Sequence, residues 1–559
     1  MMKRTISKRI RAMLLAALLT VTCAVLPACG SSSSGSSASG GESASSSSGG
    51  ESTPSSAGEG TEASSEGAVK STYPIEGNVT LSYASGERGN ASAIMPFVDT
   101  PFWSSWQEQT GITLEFVQIQ DFSLLMASGD YPDIICTNFS GYAGGVDGAI
   151  KDGIILPIND YLDTYASDYK ARLDSNEEWA KGAVTPLGNY AGFYHLRTND
   201  PGVSNSYGLV IRQDWLDDLG LEVPTTADEF VEVLRAFRDE KGATSPLTGD
   251  AGIIASMGNY GLATSPFGLV NTSYYQIDGT VHFGAAEPEY KDYLAWMNSL
   301  YEEGLMDRNF NTLDSATNNS NILNGTSGVT AGYAGGGIGA WIPTGQAEDP
   351  EYNLSGMSSL VANKGDTPMY NQRQMSVPGT MAAITTSCEN VEAAVQFLNY
   401  GYTEAGNLLM QYGTEGVSYE MVDGAPHYTD EVLHNPDGYP FAQAVGLYAY
   451  VSDHGPYIQG PDFCTQSYSD AQNAALEAWT VSDVDQYYIP DALSIGADEA
   501  DEYTSIKSEV DTYVSENRIL FITGERSLDE FDDYLNTLKD LGVDRMIEIY
   551  QNAYDVYNS

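Results

Sequence analysis

Two hydrophobic periodicities follow each other along the chain from Tyr73 onward. Residues 79–83 and 112–119 alternate between apolar and polar positions, which is typical of half-buried strands. Between them, residues 100–109 fit a short helix that ends at Gly111. The same patterns predict further elements: helix 122–127, strand 133–136, strand 208–211, helix 213–219, helix 290–301, strand 328–334, strand 381–384 and helix 391–400.

Capping residues mark the start of two further helices. Thr226 and Glu229 have the spacing of a capping box, and an apolar stripe at helical spacing follows them. Ser527 and Glu530 repeat this spacing near the C-terminus, where the pattern is mostly helical. Strands that alternate with helices over such a span predict α/β layers with helices on both faces, not a β-sandwich or a helical bundle.

The N-terminus has the pattern of a lipoprotein signal peptide, residues 1–28. Basic residues between Lys3 and Arg11 precede an apolar run that is shorter than the roughly 20 residues a membrane-spanning helix needs. The run ends in LPACG, which resembles the lipobox of bacterial lipoproteins. That resemblance implies cleavage before Cys29 and attachment of a lipid to its thiol. An ordinary signal peptide with a coincidental cysteine is the alternative.

Residues 29–72 form a predicted acidic tether after the signal peptide. They consist mostly of Ser, Gly, Ala, Glu and Thr, which lack the apolar side chains needed to offset the entropy of ordering. The whole chain has 76 acidic and 25 basic residues, a net charge of −51. Because such a surface repels phosphate groups, we expect no nucleic-acid partner. The anchor and tether predict a body on the extracytoplasmic face of the cell membrane, attached through lipid only.

Motifs for catalysis and for metal binding are absent from the sequence. It has no nucleophile elbow, no zinc-protease motif and no phosphate-binding loop. The five histidines lack ligand spacing, so we expect surface or loop histidines and neither a metal nor a cofactor. Cys136, Cys388 and Cys464 are interpreted as small buried residues, with one disulfide as the alternative. Carboxylate pairs such as Asp217 and Asp218 are frequent, so a glycosidase pair stays an alternative.

Aromatic and amide side chains outside the helix cores are the candidates for ligand contact. Sugar rings stack on Tyr and Trp, of which the chain has 37 and 7, and sugar hydroxyls pair with amide and charged groups. Trp341 follows a glycine run at which we expect the backbone to turn. Ligands of open α/β sheets bind beyond strand ends. Such positions are predicted for Asn138, Tyr142, Tyr194 and Arg212.

Several segments resemble extracellular solute-binding proteins of family 1, the lipid-anchored receptors of bacterial ABC importers for carbohydrates. The segments are 122–135 (FSLLMASGDYPDII), 153–163 (GIILPINDYLD), 208–230 (GLVIRQDWLDDLGLEVPTTADEF) and 379–397 (GTMAAITTSCENVEAAVQF). The tail 521–557 resembles the long branch of this family that is associated with oligosaccharide or lipo-oligosaccharide uptake.

This resemblance implies a periplasmic-binding-protein-like α/β fold with two lobes, an inter-lobe cleft and a helical C-terminal region. We expect the first lobe to comprise about 73–198 and 376–460, and the second about 199–375 and 461–559. The implied molecule is a monomer and not an enzyme. It captures a carbohydrate, specifically an oligosaccharide, by hinge closure and delivers it to the permease subunits of an ABC transporter.

Two other functions fit the same sequence. One is a surface-anchored glycoside hydrolase, which requires a carboxylate pair at catalytic separation in the cleft. The other is a sensor receptor that presents its bound ligand to a membrane kinase. A peptide or a phosphorylated ligand is a further alternative, although the acidic charge disfavours anions at long range.

Overall fold

The computed structural model describes residues 71–559 except 87–88, 93, 451–453, 462–464, 491–492, 494 and 497. The predicted signal peptide, Cys29, nearly all of the predicted tether and Cys464 lie outside the described residues. The described residues group as one unit by their contacts. Within the described part of the chain, no helix combines the length and the hydropathy required to cross a bilayer.

The strands are short and are distributed over almost the whole described chain. They are β1 (Thr80–Ser85), β2 (Thr113–Gln118), β3 (Ile134–Thr137), β4 (Phe193–Arg197), β5 (Tyr207–Arg212), β6 (Tyr274–Ile277), β7 (Thr280–Phe283), β8 (Val329–Tyr333), β9 (Leu354–Met357), β10 (Met381–Ile384), β11 (Tyr419–Val422), β12 (Ala425–Tyr428) and β13 (Tyr457–Gln459).

Helices separate most of these strands. They are α1 (Gly89–Ser92), α2 (Pro101–Thr110), α3 (Phe122–Ser128), α4 (Gly145–Lys151), α5 (Leu162–Tyr165), α6 (Ser167–Asp174), α7 (Glu177–Gly182), α8 (Gln213–Leu219), α9 (Ala227–Asp239), α10 (Ala251–Asn259), α11 (Tyr290–Glu302), α12 (Ser315–Leu323), α13 (Gly339–Gln346), α14 (Val391–Asn399), α15 (Glu404–Tyr412), α16 (Asp430–Leu433), α17 (Phe441–Tyr448), α18 (Asp470–Thr480), α19 (Val484–Tyr487), α20 (Ala500–Thr523), α21 (Phe531–Asp540) and α22 (Val543–Tyr557).

The first sheet has six strands in the order β13-β4-β10-β3-β1-β2. Strand β1 pairs in parallel with β2 and β3, and β10 runs antiparallel between β3 and β4. Because β10 follows β9 of another sheet in sequence, the chain leaves the first sheet after β4 and returns to it. The carboxyl end of β3 therefore lies beside the start of β10, where Thr137 pairs with Met381.

Aromatic side chains fill the first hydrophobic core. Trp106 of α2 is fully buried, stacks on Phe397 of α14 at 4.6 Å and meets Tyr83 of β1 edge-on at 5.5 Å. The Tyr83 hydroxyl lies 2.7 Å from that of Tyr450. This core joins buried side chains of 81–196 with those of 377–458, and we call the elements around it the first lobe.

The second sheet has three strands in the order β8-β5-β9, and both of its pairings are antiparallel. Helix α18 packs directly on this sheet because Gly208 and Gly356 present no side chain to it. A Cβ atom at Gly208 would lie 2.3 Å from the Trp479 indole nitrogen, which donates a hydrogen bond to the Leu209 carbonyl at 3.1 Å. Glycine is therefore required where helix and strand approach each other most closely.

Helices of the middle and of the C-terminal region form the second hydrophobic core. It joins buried side chains of 207–360 with those of 510–546, and we call the elements around it the second lobe. The predicted capping box is present, with the Thr226 side chain accepting from the Glu229 amide at the start of α9. At the second predicted box, Ser527 instead accepts from the Asp529 amide and caps a short 3-10 turn before α21.

The positions of a histidine and of two cysteines test the expectations from the sequence about buried residues. His195, expected at the surface or in a loop, is fully buried in β4, stacks on Tyr457 at 4.7 Å and lies 3.1 Å from the Gln459 side-chain oxygen. The expectation was wrong because the stacking on Tyr457 and the contact with Gln459 hold this imidazole inside a sheet. Cys136 and Cys388 are buried, as predicted.

The close approach of α18 to β5 generates a first prediction. Substituting Gly208→Ala should lower the free energy of unfolding by about 1–3 kcal/mol, because the new methyl group must displace the Trp479 ring or the strand. Urea unfolding followed by fluorescence measures this change. Gly86→Ala is the matched control, since a Cβ atom there meets nothing within 4 Å. Equal stability of the two variants would contradict the packing argument.

Candidate ligand-binding site

Crossing segments of the chain connect the two lobes side by side. The first, 198–206, leads from β4 to β5, and the second, 371–376, lies on the way from β9 back to β10. The Arg197 amide donates to the Ser376 carbonyl at 2.8 Å, and the Gln374 amide donates to the Ser204 carbonyl at 2.7 Å. The lobes are thus joined by a narrow, hydrogen-bonded ribbon, which is the kind of connection at which domains bend.

The chain also leaves the first sheet next to this ribbon, after β13. The Thr198 amide donates to the Gln459 carbonyl at 3.1 Å. Side chains strengthen the ribbon, since the Asn205 amide group donates to the Gln372 carbonyl at 2.6 Å and the Ser206 amide donates to the Gln372 side chain at 3.1 Å. Three connections lie at one place, and the strand ends next to them in both sheets form the candidate site.

Two of the five predicted residues, Asn138 and Tyr142, lie together in the loop after β3. Asn138 is exposed, and its side-chain oxygen accepts from the Ser140 amide at 2.8 Å. The Tyr142 hydroxyl donates to Asp152 at 2.8 Å, and this hydrogen bond raises the pKa of the phenol. The neutral phenol and the amide group are therefore polar groups at the edge of the first sheet, next to the start of β10.

Tyr194 lies in β4 and is buried within the first core at 5% exposure. Its backbone carbonyl accepts a hydrogen bond from the Tyr402 hydroxyl, and burial raises the pKa of its own phenol above the usual value. The structure therefore places Tyr194 beneath the surface of the first lobe, and does not bring it to the loop of Asn138 and Tyr142 as an exposed group.

Arg212 ends β5, at the opposite end of the strand from the crossing segments. It lies five residue steps from Tyr207, so the two are about 17 Å apart along an extended strand. Its guanidinium donates to Asp214 at 2.8 Å and lies between the rings of Trp215 and Tyr352, at 4.4 and 4.2 Å. The carboxyl-end rule behind this prediction applies to parallel strands, whereas the second sheet is antiparallel.

Trp341 lies in helix α13 and not in the turning loop that the glycine run suggested. Only 6% of it is exposed, and its indole nitrogen donates to Asn319 at 3.1 Å. The ring packs on β8, where a Cβ atom at Gly332 would lie 2.6 Å from it, and on Gly337. The structure thus places this ring behind the end of β8, as a support for the segment in front of it.

The segment in front of Trp341 contains an aromatic residue that the sequence analysis missed. Tyr333 ends β8 and is 51% exposed, an unusual degree for a large aromatic side chain. Its ring meets Tyr207 edge-on at 4.9 Å, and Tyr207 meets Tyr260 in the same way at 5.6 Å. We call these three residues the tyrosine wall. The available signal was the end of a strand directly before a glycine run.

The tyrosine wall lies next to the crossing segments. The Ala334 amide donates to the Ser206 carbonyl at 2.9 Å, which ties the residue after Tyr333 to the end of the first crossing. Burial raises the pKa of Tyr207 and of Tyr260, and the Tyr207 hydroxyl lies 2.9 Å from that of Ser256. At neutral pH the phenols of Tyr207 and Tyr260 are therefore uncharged.

The glycine run after the wall forms a π-helical turn, Ala334–Ile338. Gln472 of α18 donates to the Ala334 carbonyl at 3.0 Å, and a Cβ atom at Gly339 would lie 2.5 Å from the same side chain. Gly336 is exposed and has open space around its Cα atom. Turns of this type are frequent at functional sites, because they re-aim the residues next to them.

Together these features define a class of protein. Two α/β lobes with separate cores, joined by bonded crossing segments beside the tyrosine wall and its half-exposed Tyr333, form a two-lobed solute-binding fold of the periplasmic type. The chain belongs to the bacterial extracellular solute-binding protein family, whose model matches residues 84–408. Within the described residues, no group of three or more His, Cys, Asp or Glu side chains is placed to hold a metal ion.

Curated relatives cover most of this chain. It is 23% identical over 483 residues to the fructooligosaccharide ABC transporter substrate-binding protein FusA of Streptococcus pneumoniae, covering 81% of this chain and 86% of that one. It is 23% identical over 506 residues to lipoprotein LipO of Bacillus subtilis, covering 85% of this chain and 94% of that one.

Solved structures show the same fold. An extracellular solute-binding protein from Bifidobacterium longum subsp. infantis matches with a TM-score of 0.68 and 18% identity, covering 86% of this chain and 99% of that one. The alginate-binding protein AlgQ2, in a structure without calcium ion, matches with a TM-score of 0.66 and 21% identity, covering 87% and 100%. These likenesses confirm the predicted fold class.

The contrast between Trp341 and Tyr333 generates a second prediction. Trp341→Ala should lower the free energy of unfolding by about 3–5 kcal/mol, because it empties a buried site between β8 and α13. Tyr333→Ala should lower it by only about 1 kcal/mol, because half of that side chain is already in water. Urea unfolding of both variants gives the comparison. A Tyr333 variant that is the less stable of the two would show that the wall is structural.

Proposed function

We propose that this chain is the substrate-binding lipoprotein of an ABC importer, and that it captures a neutral oligosaccharide between its two lobes. The observation that carries the proposal is the half-exposed Tyr333, backed by Tyr207 and positioned beside the crossing segments. An exposed aromatic face costs free energy in water, and sugar rings with their apolar C–H faces are suitable partners for it.

The relatives support an oligosaccharide as the ligand class. One is named for fructooligosaccharides, and another, from Bacillus subtilis, is named a polygalacturonan/rhamnogalacturonan-binding protein. Charge favours the neutral type here. The chain has a net charge of −51, and Arg212 and Arg373 are both engaged by carboxylates of this chain. A uronic acid polymer would therefore meet repulsion at long range without a free cation at these two positions.

We assign different roles to the predicted site residues according to their exposure. Asn138 and Tyr142 are proposed as polar contacts from the first lobe, because an amide group and a neutral phenol pair with sugar hydroxyls. The other three are proposed to shape the site from behind. Trp341 lies beneath Tyr333, Tyr194 lies beneath the surface of the first lobe, and Arg212 lies within the second lobe.

The predicted lobe boundaries are retained as part of the proposal. They place 73–198 and 376–460 in the first lobe and 199–375 and 461–559 in the second. The hydrogen-bonded ribbon between 197–206 and 371–376 supports the two boundaries near 198 and 376. Buried side chains on either side of it belong to different hydrophobic cores, which also supports this division.

Capture is proposed to occur by bending at the ribbon. A ligand that touches both lobes stabilises the closed arrangement by its additional contacts, and this arrangement then docks on the permease subunits. The chain is proposed to act as a monomer without converting its ligand, because transport requires that the captured molecule be released unchanged.

The proposed location is the extracytoplasmic face of the cell membrane, with the lipid on Cys29 as the anchor. The lipobox-like LPACG and the relative named lipoprotein LipO support it. An anchor with a flexible tether keeps the body close to its transporter and so raises the effective concentration of binding protein there.

A thermal-shift screen of the purified protein tests the ligand class. Kestose, nystose and galacturonan oligosaccharides are suitable probes, and we expect the two neutral sugars to raise the melting temperature more, because a ligand of the folded state stabilises it. Tyr333→Ala should remove most of the rise, by losing the stacking surface. Ile277→Ala, 40% exposed in the same lobe, is the control and should keep the rise.

Two results of this screen would contradict the proposal. The first is a rise that Tyr333→Ala and Ile277→Ala retain equally, since stacking on the wall would then play no part. The second is the release of new reducing ends or of free fructose from the probes during incubation, which would indicate a glycoside hydrolase and not a binding protein.

A separate prediction concerns the anchor. Cys29→Ser removes the thiol that would carry the lipid, so the protein should move from the membrane fraction to the soluble fraction of expressing cells. Immunoblotting of the two fractions measures the change, with Cys388→Ser as the control that alters a buried cysteine of the body. A Cys29 variant that stays in the membrane fraction would contradict lipid anchoring at this position.

A further inference from the structure

One helix of the first lobe, α7, is bonded to the second lobe at two points outside the tyrosine wall. Helix α7 is fixed in the first lobe by Trp179, which is buried in the first core. The Trp179 indole nitrogen donates to the carbonyl of Arg197 at 2.8 Å, at the residue where the first crossing begins. Any rotation of the first lobe about the ribbon therefore moves α7 as well.

The first point of attachment is Glu178, which binds Arg373 of the second crossing. Its carboxylate accepts from the Arg373 guanidinium at 3.1 Å. The same guanidinium donates to Asp485 and lies over the ring of Tyr488 at 4.2 Å. Asp485 belongs to α19, which contacts β6 of the second lobe. Arg373 is only 10% exposed, so this bridge is partly shielded from water.

The second point of attachment is Lys181, which binds the last turn of α22. Its ammonium group donates to the Tyr557 carbonyl and lies 4.3 Å from the centre of the Tyr557 ring. Helix α22 is held in the second lobe through Val543 and Met546, which are buried in the second core. The C-terminal helix thus extends from the second core to a helix of the first lobe.

Both attachments lie on one face of α7. Residues three apart on a helix are neighbours on its surface, so Glu178 and Lys181 project together. Their charges are opposite, and across the lobes Glu178 binds a side-chain cation and Lys181 a carbonyl dipole; Lys181 also pairs with Glu177 of its own helix at 3.0 Å. One side-chain oxygen of Glu178 is also buried without a hydrogen-bond partner, so the carboxylate is desolvated and depends on Arg373 for compensation.

We propose that this face of α7, together with Arg373 and the end of α22, is a strut that holds the two lobes at the angle seen in the structure. Without the strut, only a few hydrogen bonds of the ribbon would determine the angle between the two lobes. The strut adds one side-chain attachment at the ribbon, on Arg373, and a second one away from it, at the end of α22, and a change of angle has to break or rearrange them. Its residues act by positioning and not by ligand contact.

Hydrogen–deuterium exchange of the ligand-free full-length protein tests this proposal. Lys181→Met removes one attachment, and Glu178→Gln removes the negative charge of the other; both variants keep the approximate length of the side chain. Both should speed the exchange of backbone amides in 198–206 and 371–376 roughly two- to fivefold, the range expected for losing a partly exposed charged contact. Urea unfolding monitors the stability of each variant, so that local opening is distinguished from global unfolding.

Lys170→Met is the matched control. Lys170 is a lysine of the neighbouring helix α6, 40% exposed, and pairs with Asp174 inside the same helix. The substitution Lys170→Met removes a comparable charged contact, but this contact does not join the two lobes. The exchange of both crossing segments should therefore stay unchanged. Unchanged exchange in Lys181→Met and Glu178→Gln, or equal acceleration in Lys170→Met, would overturn the proposal. Because no ligand is involved, the outcome is independent of the proposed transport function.

Discussion

The antiparallel insertion of β10 between β3 and β4 is the constraint on which the rest of the structure depends. A strand from a late part of the sequence occupies the centre of the first sheet, so the chain must leave this sheet and return to it. The outgoing and returning segments then lie side by side, as the bond from the Arg197 amide to the Ser376 carbonyl shows. Two cores with a narrow connection follow directly from this pairing.

In the second lobe, the corresponding constraint is close packing at two glycines. Gly208 lets α18 approach β5, and Gly332 lets the ring of Trp341 approach β8 from behind. Helix α18 fills the space over Gly208, and the Trp341 ring fills the space over Gly332. The end of β8 is therefore held firmly while Tyr333 stays half exposed beside the crossing. The Tyr333 ring can be accessible on a rigid support because α18 and the Trp341 indole occupy the space that side chains at the two glycines would otherwise take.

Much of the fold could be predicted from the sequence because its signals are local. The predicted helix 213–219 forms with these bounds and ends before the αL glycine Gly220, and the Thr226 capping box forms as predicted, since both depend on a few neighbouring residues. The residues that contact the ligand were harder to predict from the sequence. Arg212 has the residue type and strand-end position of a ligand contact, yet its guanidinium is covered by Trp215, Tyr352 and Asp214. No local pattern reveals that a side chain already has its partners.

The sequence by itself determined the class of fold, the family resemblance and the acidic character, because periodicity, capping and charge are properties of short segments or of composition. Only the tertiary structure decided that the second sheet is antiparallel, that Trp341 lies behind Tyr333, and that Lys181 reaches Tyr557. These contacts join residues that are far apart in sequence. Their formation depends on how helices and sheets pack, which no single segment specifies.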